Sequence, residues 1–108
     1  MSGSPELSIR QMASALRAGK TTSEMLTRAA LGRIRAMDID IHAFTNLDAS
    51  GAMEAARNAD MARGESADLP LLHGIAVAIK DVYDVAGLPT TCQSWLSLDY
   101  VPEDDSTP

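Results

Sequence analysis

Apolar residues recur at helical spacing in the first stretch of the chain. The residues that share one helical face there are Ile9, Met12, Ala13 and Leu16. Ser8 and Gln11 are spaced as a capping box, in which each side chain accepts a hydrogen bond from the other residue's backbone N–H. Gly19 is a natural C-terminal stop, because glycine adopts the left-handed conformation at low cost. The pattern predicts a first helix between Ser8 and Gly19.

A second helix is predicted to begin at Thr21 or Thr22, since Glu24 follows Thr21 by three residues, and to end near Asp38. Its predicted buried stripe consists of Leu26, Ala30, Ile34 and Met37. The four positions are three or four residues apart, so they share one face of a helix.

A third helix is predicted to be capped by Asp48 or Ser50, to run through Arg63 and to close at Gly64. Its face of small residues consists of Ala52, Ala55, Ala56, Ala59 and Ala62. Residues 41–47, just before this helix, indicate a short strand or an extended link.

The pattern changes after the third helix. Residues 75–79 are almost wholly apolar, and this run is too short for a helix, so it predicts a strand buried on both faces. Residues 85–89 contain glycine and proline and predict a turn. A single strand leaves its backbone groups without partners, so the predicted strand requires neighbours that these residues do not supply.

Composition narrows the classes of function. The 108 residues carry a net charge of −6, and their nine lysine and arginine residues are scattered, which argues against direct binding of nucleic acid or an anionic membrane. Cys92 is the only cysteine, so no disulfide forms within the chain. Neither a secretory leader nor a membrane span is apparent, and we expect a cytoplasmic protein.

Lys80 directly follows the apolar run. Alternation along a strand places Ile75, Val77 and Ile79 on one face, and Ala76, Ala78 and Lys80 on the other. The small neighbours leave room around the ammonium group, and partial loss of water would lower the pKa of the lysine, as a general base requires. Alternatively, Lys80 reaches water at the end of the strand and pairs with Asp81 or Asp84.

The residues around Lys80 resemble the amidase signature family. The matching run reads Leu-Leu-His-Gly-Ile-Ala-Val-Ala-Ile-Lys-Asp over residues 71–81 and Asp-Val-Ala-Gly-Leu-Pro-Thr-Thr over residues 84–91. The likeness extends from about Leu7 onward and includes the predicted helices. It implies an α/β fold in which N-terminal helices lead into the first strand of the mixed sheet of the amidase signature fold, incomplete in this chain. Residues 1–64 would be the helical segment, and residues 65–108 the start of the catalytic core.

The resemblance also implies a chemistry. Lys80 corresponds to the lysine of a Ser-cisSer-Lys triad that hydrolyses a small-molecule carboxylic acid amide. Neutral lysine accepts a proton from the nucleophilic serine through the bridging serine and returns it to the departing amine, so neither metal nor organic cofactor is implied. Both serines lie downstream in the family, so we expect the isolated chain to be inactive.

Two other functions stay open. The chain could belong to the glutaminase subunit of a tRNA-dependent amidotransferase, or it could be a noncatalytic interaction or assembly fragment. A homodimer and association with the remainder of the amidase are both compatible with the sequence. Asp81 follows the lysine in the family pattern and could organise the loop or the charge of the lysine, but a structural, hydrogen-bonding carboxylate is expected. His73 is expected to be a polar turn residue, and Cys92 a buried thiol rather than a nucleophile.

Overall fold

The computed structural model describes residues 7–66, 68–81, 83–91, 96 and 99–106. These residues form three helices: α1 (Ile9–Arg17), α2 (Ser23–Ile41) and α3 (Ala49–Glu65). The three predicted helices are therefore confirmed. Among the described helices, none is long and apolar enough to cross a membrane.

The chain divides into two compact units. The described residues of 1–41 and 48–76 form the first, called the helical unit because it contains all three helices. Those of 42–47 and 77–108 form the second, called the extended unit because its backbone is mostly irregular and extended. Lys80 belongs to the extended unit.

The capping box predicted for α1 is present. Ser8 Oγ accepts a hydrogen bond from the backbone N–H of Gln11 at 3.1 Å, and Ser8 N–H donates to Gln11 Oε1 at 2.8 Å. Gly19 has a φ of 73°, which explains the glycine just beyond the helix end. Leu16 is only 2% exposed and Ala13 only 3%, whereas Ile9 is 56% exposed, so α1 buries the later part of its predicted apolar face but not the start.

The second helix begins where it is predicted to begin, but it buries a different face. Thr22 Oγ1 accepts a hydrogen bond from Met25 N–H at 3.1 Å, as an N-terminal cap does. The fully buried residues are Ser23, Thr27 and Leu31, one position along from the predicted stripe. The predicted Met37 is 54% exposed, and α2 continues to Ile41, three residues beyond the predicted end.

Polar groups from elsewhere in the helical unit explain why α2 buries a serine. Both carboxylate oxygens of Asp60 accept hydrogen bonds at the start of α2, from Ser23 N–H at 2.7 Å and from Glu24 N–H at 3.0 Å. Ser23 Oγ donates to the carbonyl of Gly74 at 2.6 Å. Because each polar group has a partner, burying Ser23 leaves no unsatisfied donor, and a pattern based on apolar residues alone misses this face.

The third helix is capped by Asp48, whose side chain accepts a hydrogen bond from Gly51 N–H at 3.1 Å. Ala56 is 4% exposed and is the fully buried residue of the predicted alanine face. The prediction that Gly64 ends the helix is wrong, because α3 continues to Glu65 before Ser66 becomes extended. Gly64 keeps a negative φ, so its presence does not force a left-handed stop.

The predicted strand over residues 75–79 is not formed, and the described residues contain no strand. The backbone lacks the ladder of hydrogen bonds to a neighbouring strand that defines a sheet. Val77 is 73% exposed and Ile79 is 56% exposed, which also contradicts burial on both faces. The apolar composition of residues 75–79 favours a buried strand. A strand requires a neighbouring strand as its hydrogen-bonding partner, and the described residues offer none.

The turn predicted over residues 85–89 is confirmed. Leu88 N–H donates to the carbonyl of Val85 at 3.1 Å, which closes a four-residue turn. Gly87 has a φ of 80°, a conformation that favours glycine.

Hydrogen bonds from this turn region reach the C-terminal part of the extended unit. Gly87 N–H donates to the carbonyl of Pro102 at 3.0 Å, and Thr90 N–H donates to the carbonyl of Tyr100 at 3.0 Å. The two segments therefore run in opposite directions, although too few bonds form for a strand pair. Thr90 and Pro102 are the buried residues that the structure describes in this unit.

Candidate functional site

Lys80 lies at the start of a turn and is exposed. Its carbonyl accepts a hydrogen bond from Tyr83 N–H at 3.1 Å, which closes a turn between Lys80 and Tyr83. Ala76 and Ala78, the small residues predicted to share the face of Lys80, are likewise exposed. The described residues therefore leave open space around the ammonium group.

Lys80 forms no ion pair within the part of the chain that the structure describes. The ion pairs found there join Glu24 to Arg28 at 2.9 Å and to Arg57 at 3.4 Å. Of the alternative predicted for Lys80, the exposure to water is observed, and the ion pair with Asp81 or Asp84 is not. Besides the hydrogen bonds from Thr91, the charge of Lys80 nevertheless contributes to the lowered pKa of Asp81.

An open surface pocket of about 520 Å³ adjoins Lys80 within the extended unit. Its lining residues are Ala78, Ile79, Lys80, Tyr83, Asp84, Val85, Asp105 and Ser106. The volume falls in the range of small-molecule sites, about 300–1,000 Å³. The pocket combines apolar side chains with one cation and two carboxylates, so it has groups that could contact both the apolar and the polar parts of a small molecule.

Asp81, the residue after Lys80, is tied to two other segments of the extended unit. Its Oδ1 accepts a hydrogen bond from Thr91 N–H at 2.9 Å, and its Oδ2 accepts one from Thr91 Oγ1. Thr45 supplies a further side-chain hydrogen bond. The hydroxyl and backbone N–H of Thr91 favour the ionised carboxylate and hold the pKa of Asp81 below its ordinary value.

A second acidic residue of the pocket, Asp84, is also held in place. Its N–H donates to Ser106 Oγ at 2.6 Å, and Ser106 N–H returns a bond to its carbonyl at 2.8 Å. The Tyr100 hydroxyl lies 3.5 Å from Asp84 Oδ2, and the negative charge of Asp84 raises the pKa of that tyrosine. These contacts hold Asp84 and Ser106, two of the residues that line the pocket beside Lys80.

His73 has a structural setting in the helical unit. It lies in a turn, as predicted, with Nε2 at 2.9 Å from the carbonyl of Ala59, and its own carbonyl accepts a hydrogen bond from Arg63 at 3.0 Å. No group of three or more histidine, cysteine or acidic residues that could hold a metal occurs among the described residues. Cys92 lies outside the described residues.

The sequence pattern singled out Lys80 and Asp81, but not the threonines that bind Asp81. Thr45 lies 36 positions before Asp81, and Thr91 lies ten positions after it. Both are short polar residues beside turns, and such residues often hydrogen-bond a nearby backbone or carboxylate. The pairing depends on how the chain folds back, so spacing alone could not identify it.

Comparisons with known proteins connect this site to a family. A profile of the Amidase family matches residues 25–108, a range that includes Lys80 and Asp81. A glutamyl-tRNA(Gln) amidotransferase subunit of Desulforapulum autotrophicum is 43% identical over 104 residues, which cover 94% of this chain and 21% of that protein. The corresponding subunit of Salinispora tropica is 39% identical over 100 residues, which cover 93% of this chain and 20% of that protein.

A solved structure gives the corresponding structural likeness. It comes from work on a vestigial protein complex that reveals the evolutionary origins of an s-triazine catabolic enzyme. It superposes with a TM-score of 0.86 and 26% identity, over 92% of this chain and 22% of that one.

The chain belongs to the Amidase family, which is also called the amidase signature family. Its members include amide-hydrolysing enzymes. It spans about a fifth of the length of the curated relatives that it matches.

Proposed function

We propose that the complete protein that carries this segment hydrolyses a carboxylic acid amide, with Lys80 as the proton acceptor and donor. The observation that carries the proposal is the position of Lys80 inside the segment that matches the Amidase family. The pocket of about 520 Å³ beside Lys80 supports it, because the lysine borders space that a small amide could enter. The exposed ammonium group has no ion-pair partner among the described residues.

The proposed reaction needs two serines in addition to Lys80. Neutral Lys80 takes the proton of the nucleophilic serine through the hydroxyl of a bridging serine, while the serine oxygen bonds to the amide carbonyl carbon. The carbon–nitrogen bond then breaks, and the proton passes from Lys80 to the departing nitrogen. Water attacks the acyl-serine in the second half of the reaction, which releases the acid and restores the serine.

The segment over residues 65–108 would thus contribute the proton-transfer group to a catalytic core. Lys80 would lose water when the rest of the core covers the exposed segment around it. This step explains how a lysine that is exposed within these residues could serve as a base.

Substitution of Lys80 tests the proposal. The chain has two lysines, so Lys20→Met provides a control that removes the same charge from the exposed loop after α1. Release of ammonia or amine from a panel of carboxamides would be measured with the complete protein. We expect Lys80→Met to lower kcat by about 10³-fold or more, and Lys20→Met to change it by less than about twofold. Retention of substantial turnover by Lys80→Met would contradict the proposal.

A second candidate is more specific: the protein is the glutaminase subunit of a tRNA-dependent amidotransferase. The relatives from Desulforapulum autotrophicum and Salinispora tropica support it, because both carry the name of a subunit of such an enzyme and are 39–43% identical to this chain. The amide would then be that of glutamine, and the released ammonia would pass to a partner subunit.

Substrate and partner dependence separate the two candidates. A glutaminase subunit should release ammonia from glutamine in preference to simple carboxamides, and its rate should rise when the partner subunits and glutamyl-tRNA are added. An independent amidase should hydrolyse another carboxamide at full rate by itself. Glutamine turnover below that of simple amides, with no response to partners, would exclude the glutaminase.

A further inference from the structure

The turn that begins at Lys80 has an anchor at its second residue. The hydrogen bond from Tyr83 N–H to the carbonyl of Lys80 closes the turn but does not attach it to any other segment. The carboxylate of Asp81 does so, because both of its oxygens accept hydrogen bonds from Thr91. This side chain therefore joins the turn to the segment that contains Thr91.

This anchor matters because few buried apolar side chains hold the turn within the described part of the extended unit. Its buried described residues are Thr90 and Pro102, and the exposed Val77 and Ile79 provide no core beneath the lysine. Hydrogen bonds to an ionised carboxylate are about twice as strong as those between neutral groups. The orientation of residues 80–83 consequently depends on Asp81 more than on packing.

We infer that Asp81 positions Lys80 for proton transfer by fixing the turn between Lys80 and Tyr83 to Thr91. Asp81 does not exchange a proton with the substrate in this account; it acts through the backbone that it shares with Lys80. A misplacement of about 1 Å in a catalytic group can lower the rate by about 10²-fold, so the anchor has a measurable effect on turnover. The inference rests on the proposed function, since it gives Asp81 a part in the activity of Lys80.

The test uses the complete protein and separates kcat from KM. We expect Asp81→Ala to lower kcat by about 10- to 100-fold with little change in KM, because the lysine is displaced while the rest of the pocket is unchanged. Asp81→Asn keeps one carbonyl acceptor for the backbone N–H of Thr91, so its kcat should fall less than that of Asp81→Ala. An unchanged kcat in Asp81→Ala would overturn the inference.

Substitutions of Thr91 test the same hydrogen bonds by changing the donor instead of the acceptor. Thr91→Val keeps the shape but removes the hydroxyl that donates to Asp81, and we expect kcat to fall by about tenfold. Thr91→Ser restores the donor, so its kcat should return to within about twofold of the wild type. In Asp81→Ala the Thr91→Val change should have almost no additional effect, because the bond is already absent. Full additivity, or no rescue by serine, would contradict a shared anchor.

A control distinguishes positioning from a general loss of stability. Asp48→Ala removes another carboxylate that accepts a backbone hydrogen bond, but at the start of α3 in the helical unit. Thermal unfolding and kcat would be measured for both variants. We expect both to lose stability and only Asp81→Ala to lose kcat. An equal fall of kcat in both variants would overturn the inference.

The outcomes also separate this inference from the proposed function. If Lys80→Met abolishes turnover while Asp81→Ala and Thr91→Val leave kcat unchanged, the proposed function stands and the positioning role of Asp81 fails. If Lys80→Met keeps its turnover, both fail.

Discussion

The interactions that stabilise the helical unit internally differ from those that stabilise the extended unit internally. The helical unit buries Ala13, Leu16, Leu31 and Ala56, each at most 6% exposed, and adds polar contacts around Ser23. The extended unit buries little that is apolar among its described residues, and hydrogen bonds that the carboxylates of Asp81 and Asp105 accept tie its segments together.

The difference separates a region that is stable by its own contacts from the region that carries the candidate catalytic residue. The backbone N–H and C=O groups of the helical unit are paired within its helices, since helices satisfy their hydrogen bonds locally. The extended unit carries the lysine and exposes apolar side chains such as Val77, at 73%, and Ile79, at 56%. The region with the candidate chemistry is thus the one whose described residues bury little apolar surface of their own.

Leu16→Ala should weaken the helical unit most. Leu16 is 2% exposed, and truncation of such a side chain costs about 2–5 kcal/mol in the free energy of unfolding. Denaturant unfolding followed by circular dichroism would measure this. Leu71→Ala, at a residue that is 61% exposed, is the control and should change stability by less than about 0.5 kcal/mol. Equal effects would mean that Leu16 is not part of a core.

Asp60→Ala should have the next largest effect on the helical unit. It removes the acceptor for Ser23 N–H and Glu24 N–H at the start of α2, and loss of such a cap costs about 1–2 kcal/mol. The same unfolding measurement applies. Asp68→Ala, at an exposed position after α3, serves as the control. A loss no greater than that of the control would show that the bonds contribute nothing.

Gly74→Ala and Gly32→Ala should shift stability in opposite directions. Gly74 has a φ of 85°, and a Cβ there would lie 3.3 Å from Ser23 Cβ, so alanine should cost about 1–2 kcal/mol. Gly32 lies in the middle of α2 with open space around it, so alanine should add about 0.5–1 kcal/mol. Changes of the same sign would contradict this description of the two backbones.

The extended unit should respond to acid through Asp81. Because its hydrogen bonds lower the pKa of this carboxyl in the folded chain, they stabilise the fold above the ordinary aspartate pKa. That stabilisation should be lost as the pH falls through the lowered folded-state pKa. An NMR titration of the Thr91 amide, which donates to Asp81, would follow this loss. A Thr91 resonance that titrates above the ordinary aspartate range would contradict the direction of the shift.

The sequence predicted more of the helical unit than of the extended unit. Helix starts follow from local chemistry, and the caps at Ser8, Thr22 and Asp48 were all among the candidates. The buried face of α2 was missed because Ser23 is buried by polar partners. The strand over residues 75–79 was wrong because strand formation depends on a neighbour, which apolar composition cannot supply.

For the candidate site, the sequence identified Lys80 and the turn over residues 85–89. It did not identify the bonds from Thr45 and Thr91 to Asp81, since these join positions that only the folded chain brings together. The exposure of Lys80 agrees with the alternative in which the lysine reaches water, whereas the partial loss of water expected for a base depended on a strand that is not formed.

The most direct measurement is amide hydrogen exchange along the 108-residue chain. Helix α2 is ordered by its own hydrogen bonds and a core, whereas residues 76–80 have no sheet partner among the described residues. We expect slow exchange for the central amides of α2 and fast, nearly unprotected exchange for residues 76–80. Equally slow exchange in both segments would contradict this contrast, because the lysine segment would then be hydrogen-bonded as a strand.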